Sequence, residues 1–101
     1  MPRLTVTLEE GFNGEAVRAR VNGTEVFRHE GLRTRMQVWR AGAFDVDLPP
    51  GDARLEIDLP GKGTSFPLDL EIASEPVFVG ISLDRAGAVR HWVASKPRGY
   101  V

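Results

Sequence analysis

The stretch FDVDLPPGDARLEIDLPG, residues 44–61, decides the fold class because apolar and charged residues alternate on both sides of a turn. Phe44, Val46 and Leu48 alternate with Asp45 and Asp47 before the turn. After it the apolar members are Leu55, Ile57 and Leu59, with Glu56 and Asp58 between them. Successive strand side chains point to opposite faces, so this period of two predicts two strands that are buried on one side.

The turn between these two strands is expected at Pro50 and Gly51, because proline cannot donate to a ladder and glycine accepts a positive φ. With this pair at the centre, the sequence predicts a hairpin. Its predicted partners across the hairpin are Val46 with Leu55, Phe44 with Ile57, and Asp47 with Arg54.

The same alternation recurs along the chain, with turn signals every eight to twelve residues. Further strands are predicted around 3–9, 33–40, 66–72, 77–83 and 88–95, and a hairpin of two extended segments is predicted in 16–27. The last two are the most apolar and are expected at the centre of a sheet. In residues 77–83, Gly80 on the second face predicts a bulge or a close neighbour. The whole pattern predicts an all-β, two-sheet antiparallel sandwich of seven or eight strands, immunoglobulin-like or prealbumin-like.

Asn22-Gly23 is the strongest turn signal, because both central residues of a type I′ turn need positive φ. This two-residue loop fixes the register of its hairpin. The predicted pairs are Val21 with Thr24, Arg20 with Glu25, and Ala19 with Val26.

The composition indicates one soluble domain over residues 1–101, with 96–101 as a flexible tail. The chain has 101 residues, of which 42% are apolar and 27% charged, and it has no cysteine, which excludes disulfides and thiolate metal sites. The start, MPRLTVTLEE, alternates instead of forming an apolar run, so we expect a cytoplasmic protein without a membrane span.

The net charge of −1 conceals a basic, an acidic and a second basic block along the chain. The acidic block is expected to project carboxylates from three consecutive strands onto one face. Its members are Asp45, Asp47, Glu56, Asp58, Asp69 and Glu71. We interpret this face as solvated or as a surface for a basic partner or a second copy. A cation site is the alternative, although a flat strand face spreads its ligands apart.

A basic face of Arg18, Arg20, Arg33 and Arg35 invites a nucleic-acid interpretation, but the acidic block argues against it. The aromatic residues expected off the core are candidate contact residues, because large aromatics carry much of the energy of protein contacts. They are Phe27, Trp39, Phe78 and Trp92.

Catalytic and cofactor signals are weak. His29 and His91 are the two histidines, and a zinc site would need carboxylates at a spacing that the sequence lacks. His91 is expected in the core or on a sheet edge. No serine stands in a G-x-S-x-G context and no glycine pattern predicts a phosphate loop, so we expect no cofactor.

The segment AGAFDVDLPPGDARLEIDLPGKG, residues 41–63, resembles the G-x-F-x-V-x-L-P-x-G-x-y-x-L-x-V stretch of carboxypeptidase-regulatory-like and related prealbumin-like modules. EAVRARVNGTEVF, residues 15–27, is similar to their preceding hairpin. The resemblance covers about half of the chain and implies an accessory or adhesive β-sandwich. Hydroxyisourate hydrolases share the prealbumin-like fold and end in Y-R-G-S, to which the terminal RGYV is similar, although residues 4–10 lack the histidine of that family.

The sequence therefore predicts a non-catalytic module that acts through protein–protein contact or self-association. A carbohydrate or small-ligand platform using Trp39 or Trp92 is the alternative binding function, and a hydroxyisourate-hydrolase-like activity is the enzyme alternative. Nucleic acid and membrane are not expected as partners.

Overall fold

Eight β-strands make up most of the chain, whose computed structural model describes residues 2–33 and 42–94. The strands are β1 (Arg3–Leu8), β2 (Asn13–Val21), β3 (Thr24–Arg33), β4 (Gly42–Asp47), β5 (Gly51–Leu59), β6 (Thr64–Ile72), β7 (Val77–Leu83) and β8 (Val89–Ala94). A short 3₁₀ helix, Pro60–Lys62, connects β5 and β6. The all-β prediction is confirmed.

The strands form two four-stranded sheets. Sheet A has the order β4-β1-β7-β8 and sheet B the order β3-β2-β5-β6. All of the pairings are antiparallel except that of β1 with β7, which is parallel. The two sheets pack face to face, so the predicted sandwich is confirmed.

The core lies between the sheets and follows the period of two in the sequence. Each of the largest fully buried side chains is at most 1% exposed. They are Leu4, Val6, Leu8, Val17, Leu55, Ile57, Leu59, Val79 and Ile81. Phe44 and Val46 are half-buried and pack against this core. Burying a side chain of this size stabilises the fold by about 1.5–3 kcal/mol, which makes the alternation decisive for the fold.

The predicted hairpin of residues 44–59 is wrong, because β4 and β5 lie in different sheets. Val46 pairs with Leu4 of β1 instead of Leu55, and the backbone N–H of Leu48 donates to the carbonyl of Pro2 at 3.0 Å. A turn with Pro50 and Gly51 at its centre would be of type II, and such a turn splays the strands that it joins. The two successive prolines also remove two N–H donors from any strand pairing. Residues 48–50 therefore carry the chain from one sheet to the other.

The Asn22-Gly23 turn forms as predicted, with φ of 51° and 84°. The pairs Val21 with Thr24 and Arg20 with Glu25 are confirmed, but Ala19 faces Phe27 because a bulge interrupts the register. This extra residue turns Phe27 inward, where its ring stacks on Phe44 with centroids 5.0 Å apart. The expectation that Phe27 is an exposed contact residue is therefore wrong.

The predicted central pair is only half correct. β7 lies in the centre of sheet A, whereas β8 is at its edge. The edge position explains why Val93, which faces the same side as buried Val79, is 49% exposed. Most of the predicted strand 33–40 and the predicted tail 96–101 lie outside the described residues.

Candidate functional site

The centre of the outer face of sheet A is made mostly of uncharged residues. The central positions are Thr5, Thr7, Phe78, Gly80, Ser82, Trp92 and Ala94. The charged residues of this face are Arg3, Asp45, Asp47 and Arg90 at its margins and Glu9, whose carboxylate accepts a hydrogen bond from the Trp92 indole. Protein interfaces are depleted of charge and enriched in aromatic residues at their centre, so this face is the candidate functional site.

Trp92 lies across the middle of this face in a fixed position. Its indole covers Gly80, where an added Cβ would lie 2.0 Å from the Nε1 atom and 2.2 Å from Cε2. The indole N–H donates to the carboxylate of Glu9 over 2.8 Å. The prediction of a close neighbour at Gly80 is therefore confirmed, and the neighbour is an aromatic ring held at both its face and its edge.

An open depression of about 920 Å³ lies at one end of the same face. Its apolar lining consists of Pro2, Pro50, Pro76 and Phe78, and its polar lining includes Arg3, Thr5, Asp45 and Asp47. These residues come from β1, β4, β7 and the connections next to them. Proline rings have fixed φ, so the walls of the depression are pre-organised by the backbone.

The two carboxylates of the depression have different partners. Asp45 accepts a hydrogen bond from the hydroxyl of Thr5 at 2.7 Å. Asp47 lies 3.5 Å from Nε of Arg3, and the side chains of this pair are 57% and 60% exposed. Exposed ion pairs at such distances contribute at most about 1 kcal/mol, so Asp47 keeps most of its capacity to accept further donors.

The outer face of sheet B is built differently, as a network of ion pairs. Arg20 lies 3.2 Å from Glu56 and 3.1 Å from Asp58, and Arg18 lies 3.3 Å from Asp58. Asp58 accepts three hydrogen bonds from these arginines and a fourth, over 2.7 Å, from the hydroxyl of Ser65. The Asp58 side chain is only 7% exposed. Its bonds are satisfied within the sheet, so it holds β2, β5 and β6 together.

Burial on its own raises the pKa of the Asp58 carboxyl. The hydrogen bonds from Ser65, Arg20 and Arg18, together with the charge of Arg20, outweigh burial and hold the pKa below its ordinary value of 3.8. Asp84 is a second, partly exposed carboxylate, and hydrogen bonds from the Ala88 backbone, Arg90 and the Ala86 backbone lower its pKa.

We expect the lowered pKa of Asp58 to make the fold acid-sensitive. The stabilisation from ionised Asp58 is complete above its unfolded-state pKa, near 3.8, and is lost as the pH falls below that value through the folded-state pKa. Urea unfolding of the wild type and of D58N over a pH series measures this. The stability difference between the two proteins should narrow below about pH 4, and a difference that stays constant would contradict the assignment.

The single six-carboxylate face predicted from the sequence is wrong. Asp45 and Asp47 lie on the outer face of sheet A, whereas the other four of the predicted six lie on the outer face of sheet B: Glu56, Asp58, Asp69 and Glu71. The crossover at residues 48–50 is the physical reason. Within the second group Asp58 is buried instead of solvated, while Asp69 and Glu71 are exposed as expected.

The aromatic residues predicted as contact residues lie in different parts of the molecule. Trp92 and Phe78 lie on the outer face of sheet A, and Trp39 lies outside the described residues. The sequence reasoning missed Glu9 and the prolines of the depression. Gly80, a glycine in an apolar strand, predicted a bulge or a close neighbour, but the sequence did not identify that neighbour as Trp92.

Both histidines are exposed, and His91 lies on the edge strand β8 with its ring 5.2 Å from that of Phe66. Within residues 2–33 and 42–94, no group of three or more histidine, aspartate or glutamate side chains is placed to hold a metal ion. The same part of the chain holds no helix with the length and apolar character needed to cross a membrane. The terminal RGYV lies outside it.

Comparison with known proteins identifies no family for this chain. No protein-family model matches the chain, and no curated protein matches it.

Proposed function

We propose that this chain is a non-catalytic β-sandwich module that binds a protein partner through the outer face of sheet A. The observation that carries the proposal is the contrast between the two outer faces. Sheet B presents an ion-paired surface, whereas the centre of sheet A presents Phe78 and Trp92 among small uncharged residues, with the Glu9 carboxylate bonded to the Trp92 indole. Aromatic residues of this kind are the usual centres of binding energy in protein interfaces.

The fixed position of Trp92 supports the same function. A side chain held by Gly80 and Glu9 loses little conformational freedom when a partner covers it, and this lowers the entropic cost of association. Small-ligand sites enclose most of the ligand surface, whereas this face is broad and its depression open. The second candidate function is binding of a carbohydrate or another small ligand, for which the depression is the available site. A titration with sugars tests it in the W39F variant, where the fluorescence reports on Trp92 alone.

As a fold, we propose the prealbumin-like form of the sandwich. Within residues 2–33 and 42–94, eight strands divided equally between two sheets support it, since the constant-type immunoglobulin sandwich divides seven strands unequally. The carboxypeptidase-regulatory-like resemblance of residues 41–63 stays a prediction.

Replacing Phe78 with aspartate is expected to abolish partner capture, because an unpaired charge would be buried in the centre of the contact. Immobilised wild type, F78D and the sheet B control R54D are compared by quantitative mass spectrometry on extracts of the source cells. Proteins lost about tenfold or more with F78D and retained with R54D would support the proposal. Equal capture by all three chains would contradict it, and light scattering of the wild type shows whether the partner is a second copy.

A further inference from the structure

We propose that the depression beside Phe78 holds a lysine or arginine side chain from a basic, extended segment of the protein partner. The inference rests on the proposed function and adds the chemistry of the partner. It is carried by the charge and the shape of the lining.

The lining is acidic on one side. Asp45 and Asp47 are two residues apart on β4, so both side chains lie on the outer face, about 7 Å from each other. One lining cation, Arg3, lies beside Asp47 at 3.5 Å, and both members of that pair are more than half exposed. Asp45 accepts a hydrogen bond from the neutral hydroxyl of Thr5, which leaves its negative charge uncompensated by that contact. Among the lining residues that the structure describes, two carboxylates stand against one cation, so this lining attracts a cation.

The rest of the lining suits the stem of a long basic side chain. Phe78 offers an aromatic ring, with which ammonium and guanidinium groups interact favourably when they lie over its face. Pro2, Pro50 and Pro76 offer rigid apolar walls for methylene groups. A carboxylate pair next to an aromatic ring and apolar walls matches the two parts of lysine and arginine, a charged end and an apolar stem.

The neighbouring Trp92 indicates that the basic residue belongs to an extended segment. Phe78 and Gly80 are two residues apart on β7, and the indole of Trp92 covers Gly80. In an extended peptide the side chains at positions i and i+2 point the same way and are separated by about the same 7 Å. A peptide that lies along β7 can place a basic residue in the depression and an apolar residue, two positions later, against Trp92.

Synthetic peptides provide the probe. One twelve-residue peptide contains lysine and, two residues later, leucine in a glycine-serine background; its two controls replace lysine with glutamate or leucine with serine. Amide shifts of the ¹⁵N-labelled chain are followed at millimolar peptide. We expect the lysine–leucine peptide to shift residues around Thr5, Asp45 and Phe78, and its affinity to fall about threefold or more between about 50 and 500 mM salt.

A matched pair of double variants tests the charge. D45N/D47N should weaken peptide binding about tenfold or more, while asparagine still accepts the hydrogen bond from Thr5. D69N/E71Q removes the same charge from exposed positions on sheet B and should leave binding unchanged. Absence of shifts, equal binding of the glutamate peptide, or equal weakening by both double variants would each overturn the inference. If the peptide tests fail but partner capture still depends on Phe78, the proposed function stands and the inference about a basic segment is wrong. If the peptide tests fail and partner capture does not depend on Phe78, the inference and the proposed function are both wrong.

Discussion

Replacing Gly11 with alanine should destabilise the fold by about 3 kcal/mol or more. Gly11 has φ +94°, which a residue with a Cβ rarely adopts, and an added Cβ would lie 2.0 Å from the backbone carbonyl oxygen of Leu83. That backbone cannot move away easily, because the Leu83 N–H donates to the carbonyl of Glu10 at 2.9 Å. The free energy of unfolding from urea titration measures the loss.

Substitutions at two other glycines separate the cost of the positive φ from the cost of the close contact with Leu83. Gly63 has φ +62° with nothing within 4 Å of an added Cβ, so G63A should cost only about 1 kcal/mol for its backbone conformation. Gly61 has neither a left-handed φ nor a close neighbour, so G61A should change stability by less than about 0.5 kcal/mol. A G11A protein no less stable than G63A would show that the contact with Leu83 relaxes freely.

Replacing Asp58 with alanine is expected to cost about 2–3 kcal/mol. The change leaves Arg18 and Arg20 without their shared carboxylate and deprives the Ser65 hydroxyl of its acceptor. The two arginine side chains are 40% and 34% exposed, so water compensates in part, and this keeps the expected loss below that of a fully buried ion pair. Urea unfolding near neutral pH gives the value.

Asp69 is the matched control for this substitution. It belongs to an ion pair on the same face of sheet B, 3.7 Å from Arg54, but its side chain is 83% exposed. D69A should therefore cost less than about 0.5 kcal/mol. Equal losses for D58A and D69A would mean that burial of Asp58 adds nothing to the strength of its network.

The period of two predicted most of the fold, because burying the apolar side of each strand contributes more to stability than any other interaction that the strand makes. It could not predict which strands pair. Phe44 and Val46 alternate in the same way whether β4 lies beside β5 or beside β1, so the local hairpin was favoured wrongly. A bulge is equally invisible to periodicity, and one extra residue sufficed to turn Phe27 from the outside to the inside.

The candidate site was predictable only in part for the same reason. Trp92 was correctly expected off the core, because it alternates with Val93 on β8. The depression, however, joins Pro2, Pro50 and Pro76, which are far apart in the sequence and meet only when sheet A has assembled. The burial of Asp58 depends on two arginines from β2 and a serine from β6, a coincidence of register that no local pattern contains.

The parallel pairing of β1 with β7 imposes an order on assembly. Leu4 meets Val77 across 73 residues, whereas β2 and β3, β5 and β6, and β7 and β8 need only short turns to meet. Closing so long a loop is entropically unfavourable until other contacts have formed, and it slows folding. The hairpins of sheet B can therefore form early, while β4 gains its neighbour only after the N-terminal strand has docked. The depression joins residues of β1, β4 and β7, so we expect it to form only after these strands have paired, later than the β7–β8 hairpin that carries Phe78 and Trp92.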